Sequence, residues 1–156
     1  MSKSVVVYYT WAGHTREMAK IIAAQMGADI QEVLPKIPYA TNYSAVVDQA
    51  KKEINAGGRP PIKKMDFDLS KYDVICIGSP IWWGTIAPPI ATFLSENDFN
   101  GKTVMPFTTH GGGGKGHSDN DIAKLCPNAK TMDMYTAYEG GGPSAEKEIA
   151  LWIKKK

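Results

Sequence analysis

The chain has 156 residues, 43% of them hydrophobic and 22% charged, which suits one globular domain spanning 1–156 with a substantial core. Lys and Arg total 18 against 16 Asp and Glu, and a net charge of +2 gives no case for nucleic acid or an anionic membrane surface as partner. Two cysteines, Cys76 and Cys126, make neither a disulfide framework nor a CxxC pair, and no apolar run reaches the length of a membrane span.

The first apolar run, Val5 to Tyr9, begins too early and is too short for a secretory signal, so the cytoplasm is the expected compartment. Its continuous β-branched and aromatic character predicts a strand buried on both faces. A loop, Thr10 to His14, follows. Met18, Ile22 and Met26 then recur at helical spacing from Thr15, and Gly27 ends the helix. Ile30 to Val33 alternates like an edge strand. Beyond the loop at Pro35 and Pro38, a second helix is expected over 44–55, closing at Gly57-Gly58.

A third strand is predicted over Val74 to Ile77, buried like the first. Ser79-Pro80-Ile81-Trp82-Trp83-Gly84-Thr85 follows it, then a helix ending near Phe93-Leu94. Thr103 to Phe107 predicts the fourth strand, and a glycine loop and a helix over 118–125 come next. Thr131 to Tyr135 alternates like a second edge. Ser144 is the expected N-cap of a last helix carrying Ile149, Trp152 and Ile153 on its apolar face. Lys154, Lys155 and Lys156 read as a solvated helix end.

Five strands alternating with five helices predict an α/β fold, a doubly wound five-stranded parallel sheet with helices on both faces. Strands one, three and four have central character and strands two and five edge character, which the order 2-1-3-4-5 satisfies. The order 3-2-1-4-5 would bury strand two and expose strand three.

Right-handed crossovers bring the loops after strands one, three and four to one sheet edge. The first, Thr10-Trp11-Ala12-Gly13-His14-Thr15, has hydroxyls at both ends and precedes a helix start, where free N–H groups suit a phosphate. It contains no lysine or arginine; a hydroxyl-capped turn is the plainer alternative. In the second loop, adjacent Trp82 and Trp83 either plug the end of the core or offer a stacking surface to a planar ligand. The third is Thr108-Thr109-His110-Gly111-Gly112-Gly113-Gly114. Gly111, Gly113 and Gly116 fit GxGxxG formally, but consecutive glycines make that match nearly automatic and too little chain follows for a dinucleotide fold. His14, His110 and His117 lack zinc spacing.

Thr10-x-x-Gly13-x-Thr15 resembles the phosphate loop of flavodoxins. Ser79-Pro80-Ile81-Trp82-Trp83-Gly84 and Thr108-Thr109-His110-Gly111-Gly112 resemble the second and third flavin loops of short-type bacterial members. The resemblance covers about 3–153. It implies FMN as cofactor, with Thr10, Trp11, Ala12, Gly13, His14 and Thr15 around the phosphate. Pro80, Ile81, Trp82 and Trp83 would flank the isoalloxazine, Thr109, His110, Gly111 and Gly112 would contact its pyrimidine side, and Ser79, Gly84, Thr108 and Gly113 would complete the cofactor-binding set. FAD should bind less well. Ala12 and His14 depart from the usual hydroxyl and asparagine, and the slightly positive charge departs from acidic electron carriers.

The expected function is electron transfer with a redox partner protein or a small-molecule acceptor. NAD(P)H-dependent quinone reduction and a non-catalytic FMN-binding regulatory module are the alternatives. Trp83 is expected to stack on the flavin and Trp82 to anchor the loop. A carbonyl near Gly84 is expected to rotate toward N5 of a reduced flavin, since glycine permits both conformers.

Overall fold

A computed structural model of the chain describes residues 3–155; Lys156, the end of the basic tail, lies outside the described residues. Its strands are β1 (Ser4–Tyr8), β2 (Asp29–Glu32), β3 (Val74–Trp82), β4 (Thr85–Ile86), β5 (Thr103–His110), β6 (Lys130–Thr131) and β7 (Tyr135–Tyr138). The helices are α1 (His14–Met26), α2 (Tyr43–Asn55), α3 (Pro88–Ser95), α4 (Ser118–Leu125) and α5 (Ala145–Ile153).

The sheet runs β2-β1-β3-β5-β6, and β7 pairs with β5 beyond β6. These ladders are parallel. With β6 and β7 counted as one interrupted strand, this is the expected 2-1-3-4-5 order.

Alternation along the buried strands divides the core between two faces. Val5, Val7, Ile75, Ile77 and Val104 meet Val46 of α2, Ile90 and Leu94 of α3, and Ile122 of α4. Val6, Tyr8, Cys76, Met105 and Phe107 meet Met18 and Ile22 of α1 and Ile149 and Trp152 of α5. Each face supplies apolar side chains at every second residue, so both sides of the sheet are covered. Cys76 is a buried core residue, as is Cys126, whose thiol burial pushes up to about 12.

Four expectations need correction. The fifth strand does not span Thr131 to Tyr135. It is two short pieces flanking Met132–Met134, because the Trp152 indole N–H bonds the Asp133 carbonyl at 2.8 Å and turns that segment toward α5. Strand three does not stop at Ile77 but continues through Trp82 and folds back as the antiparallel β4, pairing Trp82 with Thr85. Likewise Thr108, Thr109 and His110 extend β5 rather than forming a loop. Ser144 precedes α5 in a helical conformation and makes no side-chain cap.

Gly78, midway along β3, is required by packing. A Cβ there would fall into the ring of fully buried Phe107, with Cε1 only 2.8 Å away. Gly78→Ala should therefore destabilise the fold by about 1–3 kcal/mol, as overpacking a close-packed core does. Urea denaturation would register this as a lower midpoint at an unchanged slope.

Candidate functional site

At the C-terminal ends of β1, β3 and β5 lies a cleft of about 610 Å³. A parallel sheet places its strand-to-helix loops at this edge, and strand order reverses between β1 and β3, so a crevice opens there.

The first loop supplies one pole. The Thr10 hydroxyl accepts the Gly13 N–H at 3.0 Å, and Gly13 sits at φ 99, a left-handed conformation that turns the chain into α1. The first intrahelical bond of α1 runs from the Glu17 N–H to the Gly13 carbonyl. The N–H groups of His14, Thr15 and Arg16 therefore lie in the first turn, at the positive end of the helix dipole. Thr10, Trp11, Ala12, His14 and Thr15 all line the cleft. Thr15 is only 1% exposed, and its hydroxyl shares a 2.9 Å hydrogen bond with that of Thr109. This bond ties the first loop to the third.

Trp11 donates from Nε1 to the Ala40 carbonyl at 2.9 Å and lies 6.2 Å from the Tyr43 ring. Nearby Arg16 is committed to Glu32 in a 3.0 Å ion pair, and the residues lining the cleft include no lysine or arginine.

Pro80, Ile81, Trp82 and Trp83 form the second wall. The two tryptophans diverge, Trp82 closing β3 and Trp83 lying in the turn beyond it. Trp82 packs edge-on against Tyr39 (5.0 Å) and Tyr9 (5.6 Å). Burial raises the phenol pKa of Tyr39 and Tyr9, and Glu53 adds to the shift; Tyr39 donates its hydroxyl proton to that carboxylate. Trp83 is 51% exposed, with Nε1 donating to the Val47 carbonyl at 2.9 Å and Lys51 Nζ 5.1 Å from its ring.

Trp83 and Gly84 form the two-residue tip of the β3–β4 hairpin, at φ 54 and 79. Two positive φ values make a type I′ turn, whose twist matches the flanking strands. A tryptophan in the left-handed region costs about 1–2 kcal/mol.

Thr109, His110 and Gly111 form the third wall. His110 Nδ1 accepts the Gly112 N–H at 3.0 Å, which leaves Nε2 as the ring's N–H donor when the imidazole is neutral.

Six of the expected residues do not line the cleft. Gly13 and Gly112 shape it through positive φ, at 99 and 118, and Gly113 lies beyond it. Ser79 is fully buried, accepts the Ala87 N–H at 2.8 Å and donates to the Pro80 carbonyl, supporting the hairpin from within. Thr108 is buried and donates to Thr136. Gly84 faces away from the cleft residues toward α4. Its carbonyl accepts the His117 N–H at 2.8 Å.

Tyr43, Val46, Val47 and Ala50 of α2 and Glu139 after β7 also line the cleft, without having been expected. Their i, i+3, i+4, i+7 spacing reads as an ordinary core-facing stripe, and nothing in it separates a cleft wall from a core. Glu139 carries no local signal.

The Flavodoxin family profile matches residues 3–156. The chain belongs to the flavodoxin family. It is also 29% identical over 128 residues to an NAD(P)H dehydrogenase (quinone) of Cupriavidus metallidurans, covering 72% of this chain and 60% of that protein. A protein of the same designation from Caulobacter vibrioides is 31% identical with the same coverage, so the chain spans about 60% of these relatives' length. Among solved structures, one described as a flavoprotein from Bacteroides eggerthii superposes with a TM-score of 0.87 at 30% identity, covering 99% and 98% of the two chains. A Lactobacillus acidophilus flavoprotein in complex with FMN superposes at 0.77, with 23% identity and 98% and 99% coverage.

The two tryptophans should separate on mutation. Trp82→Ala removes a side chain packed against Tyr9 and Tyr39 and should cost roughly 2–4 kcal/mol of stability. Trp83→Ala should cost less than about 1 kcal/mol, because it relinquishes half-exposed contacts and leaves the core untouched. Chemical denaturation of both variants measures the difference, and equal losses would contradict the division of roles.

Proposed function

We propose that the chain binds one FMN in this cleft and transfers electrons from NAD(P)H to a quinone or a similar small acceptor. The observation that carries the FMN assignment is the joining of two unlike poles in one cleft. One is a hydroxyl-rich helix N-terminus; the other is an aromatic wall.

The residues fit FMN. The first turn of α1, with Thr10, Ala12, His14 and Thr15, would hold the phosphate through neutral donors and the helix dipole. Pro80, Ile81, Trp82 and Trp83 would flank the ring system, Trp83 offering the more open indole face. Thr109, His110 and Gly111 would meet the pyrimidine edge, where His110 has an N–H to donate. When bound, FMN supplies the redox centre that takes up a hydride and passes the electrons on. The chain's own work is to bind it, orient it and set its surroundings. With Glu139 in the lining and no cation there, negative charge gained on reduction is poorly stabilised, which favours a low potential.

The reaction balances as a hydride from NAD(P)H and a proton from solvent reducing a quinone to its hydroquinone. Relatives named NAD(P)H dehydrogenase (quinone) support this acceptor class. A net charge of +2 supports it over docking to protein redox partners, which is usually steered by a strong field.

Protein reconstituted with FMN and desalted should retain flavin absorbance at one equivalent, bind riboflavin more weakly for want of the phosphate, and bind FAD less well. Added NADPH should be consumed steadily only when a benzoquinone is present. A colourless desalted protein would refute the cofactor. A coloured protein that leaves NADH and NADPH untouched would refute the reductase and leave the carrier.

A further inference from the structure

Helix α2 is attached to the molecule differently from the helix beside it. Over 13 residues it buries only Val46 and Ala50, and both of these line the cleft. On the same face of the sheet, α3 buries every residue from Pro88 to Leu94. We propose that α2 is a latched lid on the cleft, opening while the sheet stays folded, with the Trp83 indole as its latch. Its closing on a flavin rests on the FMN reading above; the latch itself does not.

Buried apolar surface decides how firmly an element stays down, and segments with little of it open locally. Of α2, Val46 alone joins the core cluster on that face. Tyr43 is 72% exposed, and its neighbours Ser44 and Ala45 are exposed too. Polar side chains supply the remaining attachment, and they divide the helix into two halves.

The far end of α2 is fixed. Glu53 accepts the hydroxyl proton of Tyr39, whose ring is buried against Tyr9 and Trp82. Gly57, at φ 66, then ends the helix, and the Gly58 N–H bonds the Glu53 carbonyl at 2.9 Å.

The half that lines the cleft is held by indoles instead. Trp83 donates to the Val47 carbonyl at 2.9 Å, and Lys51 Nζ, one turn further on, lies 5.1 Å from its ring. Ahead of the helix, Trp11 donates to the Ala40 carbonyl and stands 6.2 Å from the ring of Tyr43. These tryptophans belong to the first and second walls, so α2 is fastened to the walls it faces more than to the sheet.

The Trp83 bond suits a latch because releasing it strands nothing. Inside a helix the Val47 carbonyl has the Lys51 N–H as its regular partner, so the indole is a second donor to it. Trp83 is half-exposed, and water takes over its N–H when the bond opens. A lifted α2 is too short to persist as an isolated helix, so each opening exposes its amides to solvent.

Hydrogen exchange on the intact chain, followed residue by residue by NMR without added flavin, tests the latch. The amides from Val47 to Asn55 should exchange by an opening that is insensitive to low urea and more frequent than the global unfolding that governs β3. Trp83→Phe keeps an aromatic ring and removes the N–H. It should lower α2 protection roughly two- to tenfold, the worth of one net hydrogen bond, and leave β3, α3 and α5 unchanged. A tryptophan that only supports the fold would shift all of these together. Exchange of α2 in step with β3, or unchanged α2 protection in Trp83→Phe, would overturn the proposal.

FMN at one hundred times its Kd should then raise α2 protection about a hundredfold, because the opened lid gives up the ligand. The fraying last turn of α5 should stay as it was. Protein that takes up FMN without protecting α2 overturns the lid. Protein that takes up no FMN refutes the cofactor reading, and the comparison of native protein with Trp83→Phe still decides the latch.

Discussion

Strand β3 governs the geometry of everything around the cleft. It pairs with β1 from Val74 to Gly78 and with β5 from Val74 to Pro80, so its first half is held on both edges. Beyond Pro80 it outlasts its neighbours and turns back on itself. The cleft wall is thus a continuation of the most constrained strand in the sheet, and the precision of the ladder passes directly to Trp82 and Trp83. A site built on strand ends keeps its geometry better than one hung on loops.

The cross-links between loops complete this frame. The buried Thr15–Thr109 hydrogen bond spans from α1 to β5, and the His117–Gly84 bond spans from the start of α4 to the hairpin. Both use groups local to the strand ends, and neither lies in the hydrophobic core. Three segments far apart in sequence become one surface because each is bonded to the next, and the apolar layers on either side of the sheet need only keep the strands parallel.

Much of this was legible in the sequence. The fully apolar runs at Val5 and Val74 announced central strands, and the alternating run near Ile30 announced an edge, which fixes the order of the sheet. The motif residues located the cleft because their chemistry, hydroxyls before a helix and paired indoles after a strand, is local. What was not legible depends on distance. The break at Met132–Met134 comes from a bond to Trp152, nineteen residues away along the chain. The hairpin at Trp83-Gly84 lacks the Asn-Gly or Asp-Gly signal of type I′ turns, since tryptophan is an unfavoured residue there. The α2 wall was hidden because a helix stripe facing a cleft has the same periodicity as one facing a core. Ser79 and Thr108 looked like ligand-contacting hydroxyls, yet both are spent inside the protein on hydrogen bonds to Pro80, Ala87 and Thr136.

The cleft lining contains no lysine or arginine, and nearby Arg16 is occupied by Glu32. A pole made of oriented backbone N–H groups and hydroxyls acts only at contact distance, whereas a formal charge reaches across a Debye length of about 8 Å at physiological ionic strength. Such a pole draws in few passing anions, and nucleotides, sugar phosphates and inorganic phosphate gain little at its threshold. Retention at such a pole is decided by whether the remainder of a molecule fills an adjoining aromatic slot, so a cleft built this way is selective among phosphorylated small molecules.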